Sequence, residues 1–76
     1  MAEIKLGKYR HYKGKEYEVL GVGNHSETLE KLVIYRALYD SEEFGSKAIW
    51  ARPYEIFMDT KNIDGREVKR FEYIRI

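Results

Sequence analysis

The chain contains no cysteine, and this absence removes several kinds of chemistry at once. Disulfides, cysteine-based zinc sites and thiolate nucleophiles are excluded, and with them a common signature of small secreted domains. Long apolar runs are also missing. No segment approaches the roughly 18 apolar residues that span a bilayer, and the opening MAEIKLGKYRHYKGKEYEV has no run of signal-peptide length. We therefore expect a cytoplasmic protein that does not contact a membrane.

The chain also lacks an excess of either charge. Fourteen Lys and Arg residues face 13 Asp and Glu residues, which leaves a formal net charge of +1 among 76 residues. No long-range field favours nucleic acid or an acidic surface, and a chain of this length forms one domain, residues 1–76. Two histidines make a poor zinc site unless Glu27 or Asp40 supplies a third ligand, so neither a metal nor another cofactor is expected.

What the chain has in quantity is short segments that alternate apolar and polar residues. Residues 1–7 show no period and are predicted to be a loosely held arm. Residues 8–12 read as a strand with Tyr9 and His11 on one face, and residues 16–22 return as a second strand after a turn at Gly14. Glycines at positions 21 and 23 then predict a bulge or a sharp bend.

The segment 24–39 fits two structures. As a helix it would begin with Asn24 as N-cap and Glu27 as capping-box partner, behind a turn that mimics a dinucleotide-binding loop. As a strand it would place Arg36 among apolar residues on one face and Val33 and Tyr35 on the other. The β-branched and aromatic residues favour the strand, but the pattern alone leaves both structures open.

The second half of the chain continues the pattern of short elements. Residues 40–47 form an acidic, turn-rich loop, and residues 48–52 a strand with Trp50 and Arg52 on one side. Pro53 can open a single helical turn over residues 53–57. Asp64-Gly65 marks a hairpin before a closing strand at residues 68–76. The sequence thus predicts an all-β protein over residues 8–76, a small SH3-like β-barrel of five to six strands with one short helical turn.

A set of short motifs along this chain resembles a known family. They are Gly7–Gly14, Tyr17–Val22, His25–Thr28, Tyr35–Tyr39, Trp50–Pro53, Phe57, Asp64-Gly65 and Arg70-Phe71. Their order and residue types are similar to those of the domain of unknown function 1653, a family of small bacterial SH3-like barrels, and the resemblance runs from Gly7 to Ile74. It implies a β-barrel and a strand at the ambiguous segment, but it implies no activity. Lys69 is a slight departure from the aliphatic residue or proline expected there.

The first functional hypothesis is a non-enzymatic binding module for a small anionic ligand, a peptide or a partner protein. Its candidate site is His25, Arg36, Trp50 and Arg52, because two guanidinium groups beside an indole can bind an anion and stack a planar ring. Three of these residues can also have purely structural roles. His25 can brace its own loop, Arg36 can pair with Glu27 or Glu55, and Trp50 can be part of the core.

A second hypothesis is nucleic-acid binding by a basic and aromatic hairpin. Its residues are Lys8, Arg10, Tyr12, Lys13 and Lys15, where cations would neutralise phosphates and rings would stack on bases. The same charges also protect an edge strand against aggregation.

A third hypothesis, a small enzyme that uses His25, lacks a complete set of catalytic residues, so none is assigned. Among the rings, Tyr17, Tyr35 and Phe71 are predicted to be buried, and Tyr9, Tyr12 and Tyr54 more exposed. A monomer or a weak dimer through exposed strand edges is expected.

Overall fold

The structure is a computed structural model that describes residues 4–76. In that range nine strands and one short helix form. The first strands are β1 (Gly7–His11), β2 (Glu16–Asn24), β3 (Lys31–Ala37), β4 (Asp40–Ser41), β5 (Gly45–Ser46) and β6 (Ile49–Pro53). Helix α1 (Tyr54–Phe57) follows, and the chain ends with β7 (Thr60–Ile63), β8 (Arg66–Lys69) and β9 (Phe71–Arg75). The predicted all-β class is confirmed, and the helical turn lies where Pro53 was expected to start it.

Five of the strands form one antiparallel sheet in the order β6-β3-β2-β1-β9. The pairs β4–β5 and β7–β8 are separate hairpins. Within the described residues, β6 and β9 have no further strand neighbour, so the sheet is not closed into a barrel by backbone pairing. Side chains bring these two edges together, because the guanidinium carbon of Arg52 on β6 lies 5.5 Å from the ring centroid of Phe71 on β9. The protein is therefore an open, curved sheet of five strands, and the closed barrel that the sequence predicts is not formed by the described residues.

The ambiguous segment 24–39 contains a strand and no helix. Strand β3 pairs with β2 on one side and β6 on the other, which suits a run of β-branched and aromatic residues that is buried in alternation. The register of β2 against β3 shifts between Val19 and Gly21, which is the predicted bulge. The helical alternative, together with its dinucleotide-binding turn, is therefore wrong.

The core lies on one face of the sheet, which we call the inner face. It carries Tyr9, Val19, Val33, Tyr35 and Phe71, all buried. Helix α1 covers this face with its one buried residue, Phe57, which is fully buried and stacks on Phe71 at 4.1 Å between ring centroids. Because the chain is short, a few large aromatic rings supply most of the volume of its core.

The predicted burial of the aromatic rings is confirmed in part. Tyr35 and Phe71 are buried, whereas Tyr17, Tyr12 and Tyr54 are half-buried. The prediction for Tyr9 is wrong, since its side chain is only 4% exposed. Its ring packs edge-on against Phe57 and Tyr73, which come from distant parts of the chain, so the local sequence gave no sign of its burial.

The predicted arm, residues 1–7, falls partly outside the described residues, since 1–3 are not described. The rest is held against the sheet, contrary to the prediction. Ile4 is buried in the core, and the Tyr9 hydroxyl donates a hydrogen bond of 2.7 Å to the carbonyl of Lys5. Gly7 already belongs to β1. Residues 4–7 are therefore part of the packed domain.

Candidate functional site

The two arginines of the predicted site lie on opposite faces of the sheet. The register of β3 against β6 places Tyr35 opposite Trp50, and Arg36 opposite Ile49. Because side chains alternate along a strand, Arg52 shares the inner face with Trp50, and Arg36 lies on the outer face. The predicted arrangement of two guanidinium groups around one indole is therefore wrong.

Arg36 is paired on the outer face. Its Nη1 lies 3.5 Å from Oε1 of Glu18, the residue directly opposite it on β2. The partner is thus a cross-strand neighbour and neither Glu27 nor Glu55. A half-exposed ion pair of this kind contributes little to stability, but it leaves Arg36 with a carboxylate already in contact.

Trp50 belongs to the edge of the core. Its indole is half-buried and packs against the buried cluster. Phe44, from the turn between β4 and β5, lies edge-on against it with ring centroids 4.8 Å apart. The indole therefore anchors the β4–β5 hairpin to the sheet.

His25 braces the turn between β2 and β3. Its Nδ1 accepts hydrogen bonds from the backbone N–H groups of Glu27, at 3.1 Å, and Thr28, at 3.3 Å. Its own backbone N–H donates to the carbonyl of Glu30 at 2.7 Å, and its carbonyl accepts from the N–H of Leu29 at 2.8 Å. The contacts of His25 within the described chain are those of a turn-stabilising side chain.

Arg52 is the member of the predicted set with an unsatisfied charge. Its Nε donates a hydrogen bond of 3.2 Å to the hydroxyl of Tyr35, and its side chain lies over Phe71. Across residues 4–76 no carboxylate is within ion-pair distance of it. Its two Nη atoms make no hydrogen bond to the described chain, and neither is sealed from solvent. A half-buried guanidinium thus keeps two Nη groups that solvent can reach and that have no partner in the described chain.

Asp59, whose carboxylate interacts electrostatically with Arg52, is already paired with another arginine. Arg70 donates to both oxygens of Asp59, from Nε to Oδ1 at 2.6 Å and from Nη2 to Oδ2 at 3.1 Å. This pairing lowers the pKa of the Asp59 carboxyl below its ordinary value and keeps it ionised. The pair also links the end of α1 to the start of β9, supported by the backbone bond from the Arg70 N–H to the Asp59 carbonyl.

Beside the Tyr35 hydroxyl, a second tyrosine hydroxyl, that of Tyr17, interacts electrostatically with Arg52 and is paired with Tyr39. The hydroxyls of Tyr17 and Tyr39 are 2.8 Å apart, and the ring of Tyr17 contacts Tyr35 and Phe71 edge-on. Burial and the hydrogen bond to Tyr39 raise the pKa of Tyr17, so its hydroxyl stays neutral. Since one hydroxyl donates to the other, the second proton remains available to an acceptor outside the pair.

His11 lies on the same side of the sheet. Its ring is 4.9 Å from Phe71 and 4.5 Å from Tyr12, centroid to centroid, and its Nδ1 accepts the Lys13 N–H at 3.1 Å. Burial, and then the positive charges of Arg52, Arg70 and Lys13, lower its pKa below the ordinary value of 6.5. The imidazole is therefore neutral at pH 7.

These residues define what we call the Arg52 cluster: Arg52 with the rings of His11, Tyr17, Tyr35, Tyr39 and Phe71. Of the four predicted site residues, the structure places only Arg52 in it. The sequence predicts a buried Tyr17 and places His11 only on the same face as Tyr9, and the approach of both to Arg52 depends on how β1, β2 and β6 curve together. No signal in the sequence carries that information.

Part of the positive charge of the hairpin in the nucleic-acid hypothesis is neutralised by a carboxylate on the outer face. Lys8 and Arg10 both contact Glu16, at 3.1 and 3.0 Å, and these contacts lower the pKa of Glu16. At the turn, the ammonium groups of Lys13 and Lys15 lie 5.9 and 4.6 Å from the ring centroids of Tyr12 and Tyr39.

A groove of about 580 Å³ separates the end of β1 from the β7–β8 hairpin. Arg10, His11 and Tyr12 line one side of it. Its charged lining is evenly divided between Arg10, Arg66 and Lys69 and the acidic Asp64, Glu67 and Glu72. Such a surface favours neither sign of ligand.

Over residues 4–76, no group of three or more His, Cys, Asp or Glu side chains is placed to hold a metal ion. No helix in the same range is long and apolar enough to cross a membrane.

Comparison with known proteins identifies relatives of this fold. The family model described as "Protein of unknown function (DUF1653)" matches residues 7–73. A crystal structure of a DUF1653 protein from Bordetella bronchiseptica is similar, with a TM-score of 0.83 and 32% sequence identity over 93% of this chain and 87% of that chain. No curated protein matches the sequence.

Proposed function

The chain belongs to the DUF1653 family, and on that premise we propose that it is a non-enzymatic binding module. The Arg52 cluster would recognise a small anionic ligand, or an anionic group on a peptide or partner protein. The family description assigns no activity, so the proposal rests on the chemistry of the side chains. A cysteine-free composition supports a cytoplasmic location for such a module.

One observation carries the proposal: the guanidinium of Arg52 is half-buried, and no carboxylate of residues 4–76 lies within ion-pair distance of it. Partly desolvated charges in proteins are ordinarily paired, because removal from water is costly without a counter-charge. The other half-buried arginines, Arg36 and Arg70, follow this rule. An anion from outside the chain would supply the missing partner.

The groups around Arg52 suit an oxyanion. Tyr35 fixes the guanidinium through Nε, which leaves the two Nη atoms as a planar pair of donors, and the Tyr17–Tyr39 hydroxyl pair adds a further donor. The neutral state of His11 leaves Arg52 as the main charge on this part of the inner face.

The alternatives have less support. For nucleic-acid binding, Lys8 and Arg10 would first have to leave Glu16, although the exposed Lys13 and Lys15 keep the hypothesis testable. If a mixed pool of RNA or single-stranded DNA binds, the affinity should fall steeply with salt. For catalysis by His25, its Nδ1 would have to release the two backbone N–H groups that it accepts from.

Chemical-shift mapping with ¹⁵N-labelled protein tests the proposal. We expect carboxylate and phosphate ligands at low ionic strength to shift the backbone resonances of β6 and β9 near Arg52. Arg52→Gln should abolish these shifts, whereas Arg36→Gln, which removes an arginine from the opposite face, should retain them. Equal responses in both variants, or shifts confined to the Lys8–Lys15 hairpin, would reject the Arg52 cluster as the site.

A further inference from the structure

We propose that the ligand of the Arg52 cluster is a carboxylate carried on a flat aromatic ring, in preference to a phosphate or an aliphatic acid. This inference rests on the proposed function and narrows it to one class of small molecule. Three properties of the cluster lead to it: its net charge, the orientation of the free donors and the nature of the surrounding walls.

The charge around the cluster matches a monoanion. The titratable and charged groups that face it from the packed elements are His11, Lys13, Lys15, Arg52, Asp59 and Arg70. Arg70 and Asp59 neutralise each other through two hydrogen bonds. Lys13 and Lys15 are exposed at the rim, where water and salt screen them. With His11 neutral, one guanidinium charge remains, which balances a carboxylate but not a phosphate dianion.

The hydrogen bond at Nε leaves Arg52 to bind a ligand through the two Nη groups at the end of its side chain. Because Nε is held by the Tyr35 hydroxyl, only Nη1 and Nη2 lack a hydrogen-bond partner among the described residues. These two donors lie in one plane and match the two coplanar oxygens of a carboxylate. A phosphate can use the same pair of donors, but the cations near the cluster that lack a carboxylate partner, Lys13 and Lys15, are exposed at the rim, where screening weakens their attraction for its further charged oxygen.

The walls beside these donors are aromatic. Tyr17, Tyr39 and His11 keep part of their rings exposed, and Tyr17 and Tyr39 meet edge-to-face at 5.5 Å. The buried rings of Tyr35 and Phe71 pack against Tyr17 from the core. A carboxylate seated on Arg52 would bring the body of its molecule against these rings. A flat ring gains edge or face contacts there that a puckered aliphatic ring does not, worth about 0.5–1.5 kcal/mol or about 2- to 10-fold in affinity.

Four matched probes test the inference on the full chain at pH 7.5: benzoate, cyclohexanecarboxylate, phenyl phosphate and acetate. We expect benzoate to bind most tightly, cyclohexanecarboxylate about 2- to 10-fold more weakly, and acetate and phenyl phosphate more weakly still. Arg52→Gln should abolish benzoate binding and Arg36→Gln should leave it unchanged. Arg52→Lys, which keeps the charge but loses the planar pair of donors, should also bind benzoate more weakly and serves if the glutamine variant does not fold.

The outcomes separate the two levels of the proposal. Binding of phenyl phosphate as tight as benzoate, still dependent on Arg52, would overturn the preference for a carboxylate while leaving an anion-binding module. Equal binding of cyclohexanecarboxylate and benzoate would overturn the aromatic part. If none of the four probes gives shifts that depend on Arg52, the proposed function fails together with this inference.

Discussion

At the scale of single residues, Arg36 and Arg52 show how position decides the chemistry of identical side chains. They lie on neighbouring strands, yet the register puts one on each face of the sheet. Arg36 forms an ion pair with Glu18, so its charge has a partner within the chain. Arg52 contacts the hydroxyl of Tyr35 and the ring of Phe71, and neither group carries a negative charge that would neutralise the guanidinium. The functional proposal follows from this difference.

His11 gives a pH dependence whose sign can be worked out. Its folded-state pKa is lowered below 6.5, so the unfolded chain binds more protons between the two values. Its contribution to stability is therefore complete above the unfolded pKa and is lost as pH falls through the folded pKa. We expect the free energy of unfolding, measured by urea titration, to decrease between pH 7 and pH 5.

The control for this effect is His11→Asn, whose side-chain oxygen can still accept the Lys13 N–H but does not titrate. The loss of stability between pH 7 and pH 5 should be smaller in that variant than in the wild-type chain. An identical pH slope in the two proteins would show that His11 does not titrate as the structure implies.

Gly7 is required by a close approach of two strands. Its φ is +134°, and a Cβ there would lie 2.5 Å from the carbonyl oxygen of Arg75. Gly14 also has a positive φ, +106°, but nothing lies within 4 Å of its Cβ position. Gly7→Ala should therefore destabilise the protein by at least about 2 kcal/mol, and clearly more than Gly14→Ala. Equal losses in thermal denaturation would mean that backbone conformation alone, and not the contact with Arg75, sets the cost.

At the scale of elements, the turn between β2 and β3 contains a residue that suits its position poorly. Leu29 has a φ of +65° and is 74% exposed, so it combines left-handed strain with an apolar surface. Leu29→Gly should raise the free energy of unfolding by about 0.5–1 kcal/mol, because glycine adopts this conformation without a steric penalty. A destabilised variant would reveal a contact of Leu29 that its exposure does not indicate.

The strands show how far the sequence could be used to predict the fold. Alternation correctly placed Trp50 with Arg52, and Tyr9 with His11, because the period of a strand is a local property. Asp64-Gly65 also predicted its hairpin, and both residues have the positive φ of a tight turn, +52° and +80°. These features are decided by a few neighbouring residues.

The candidate site could not be predicted in the same way. Whether Arg36 or Tyr35 faces Trp50 depends on the register between β3 and β6, which turns and packing set across the intervening loop. The open seam between β6 and β9 likewise depends on Phe71, which contacts both Phe57 and Arg52 but is far from them in sequence. Local patterns carry no information about either.

At the scale of the whole molecule, stability is concentrated in the middle of the sheet. Strand β3 is paired on both sides and carries the fully buried Val33, whereas the β4–β5 and β7–β8 hairpins stand outside the sheet. Amide hydrogen exchange should therefore be slowest in β3 and β2 and fastest in the two hairpins. Equal protection in the β7–β8 hairpin and β3 would show that the Asp59–Arg70 link joins the hairpin to the cooperative unit more strongly than its position indicates.

The open edges of the same sheet leave the Arg52 cluster accessible. Arg52 lies on one edge strand and packs over Phe71 on the other, so an anion bound to Arg52 would hold the side chain that spans the seam left open by backbone pairing. Binding should therefore hold the two edge strands together and raise the midpoint temperature of thermal unfolding of the wild-type chain.

The resonance of the Arg52 Nε–H group tests the central claim most directly. During a titration with benzoate at pH 7.5, the side-chain Nε–H resonance of Arg52 should move in a saturable way, while that of Arg36, which remains paired with Glu18, should stay in place. If the Arg52 resonance does not move, or if both arginine resonances move together, Arg52 does not provide the anion site and the account is contradicted.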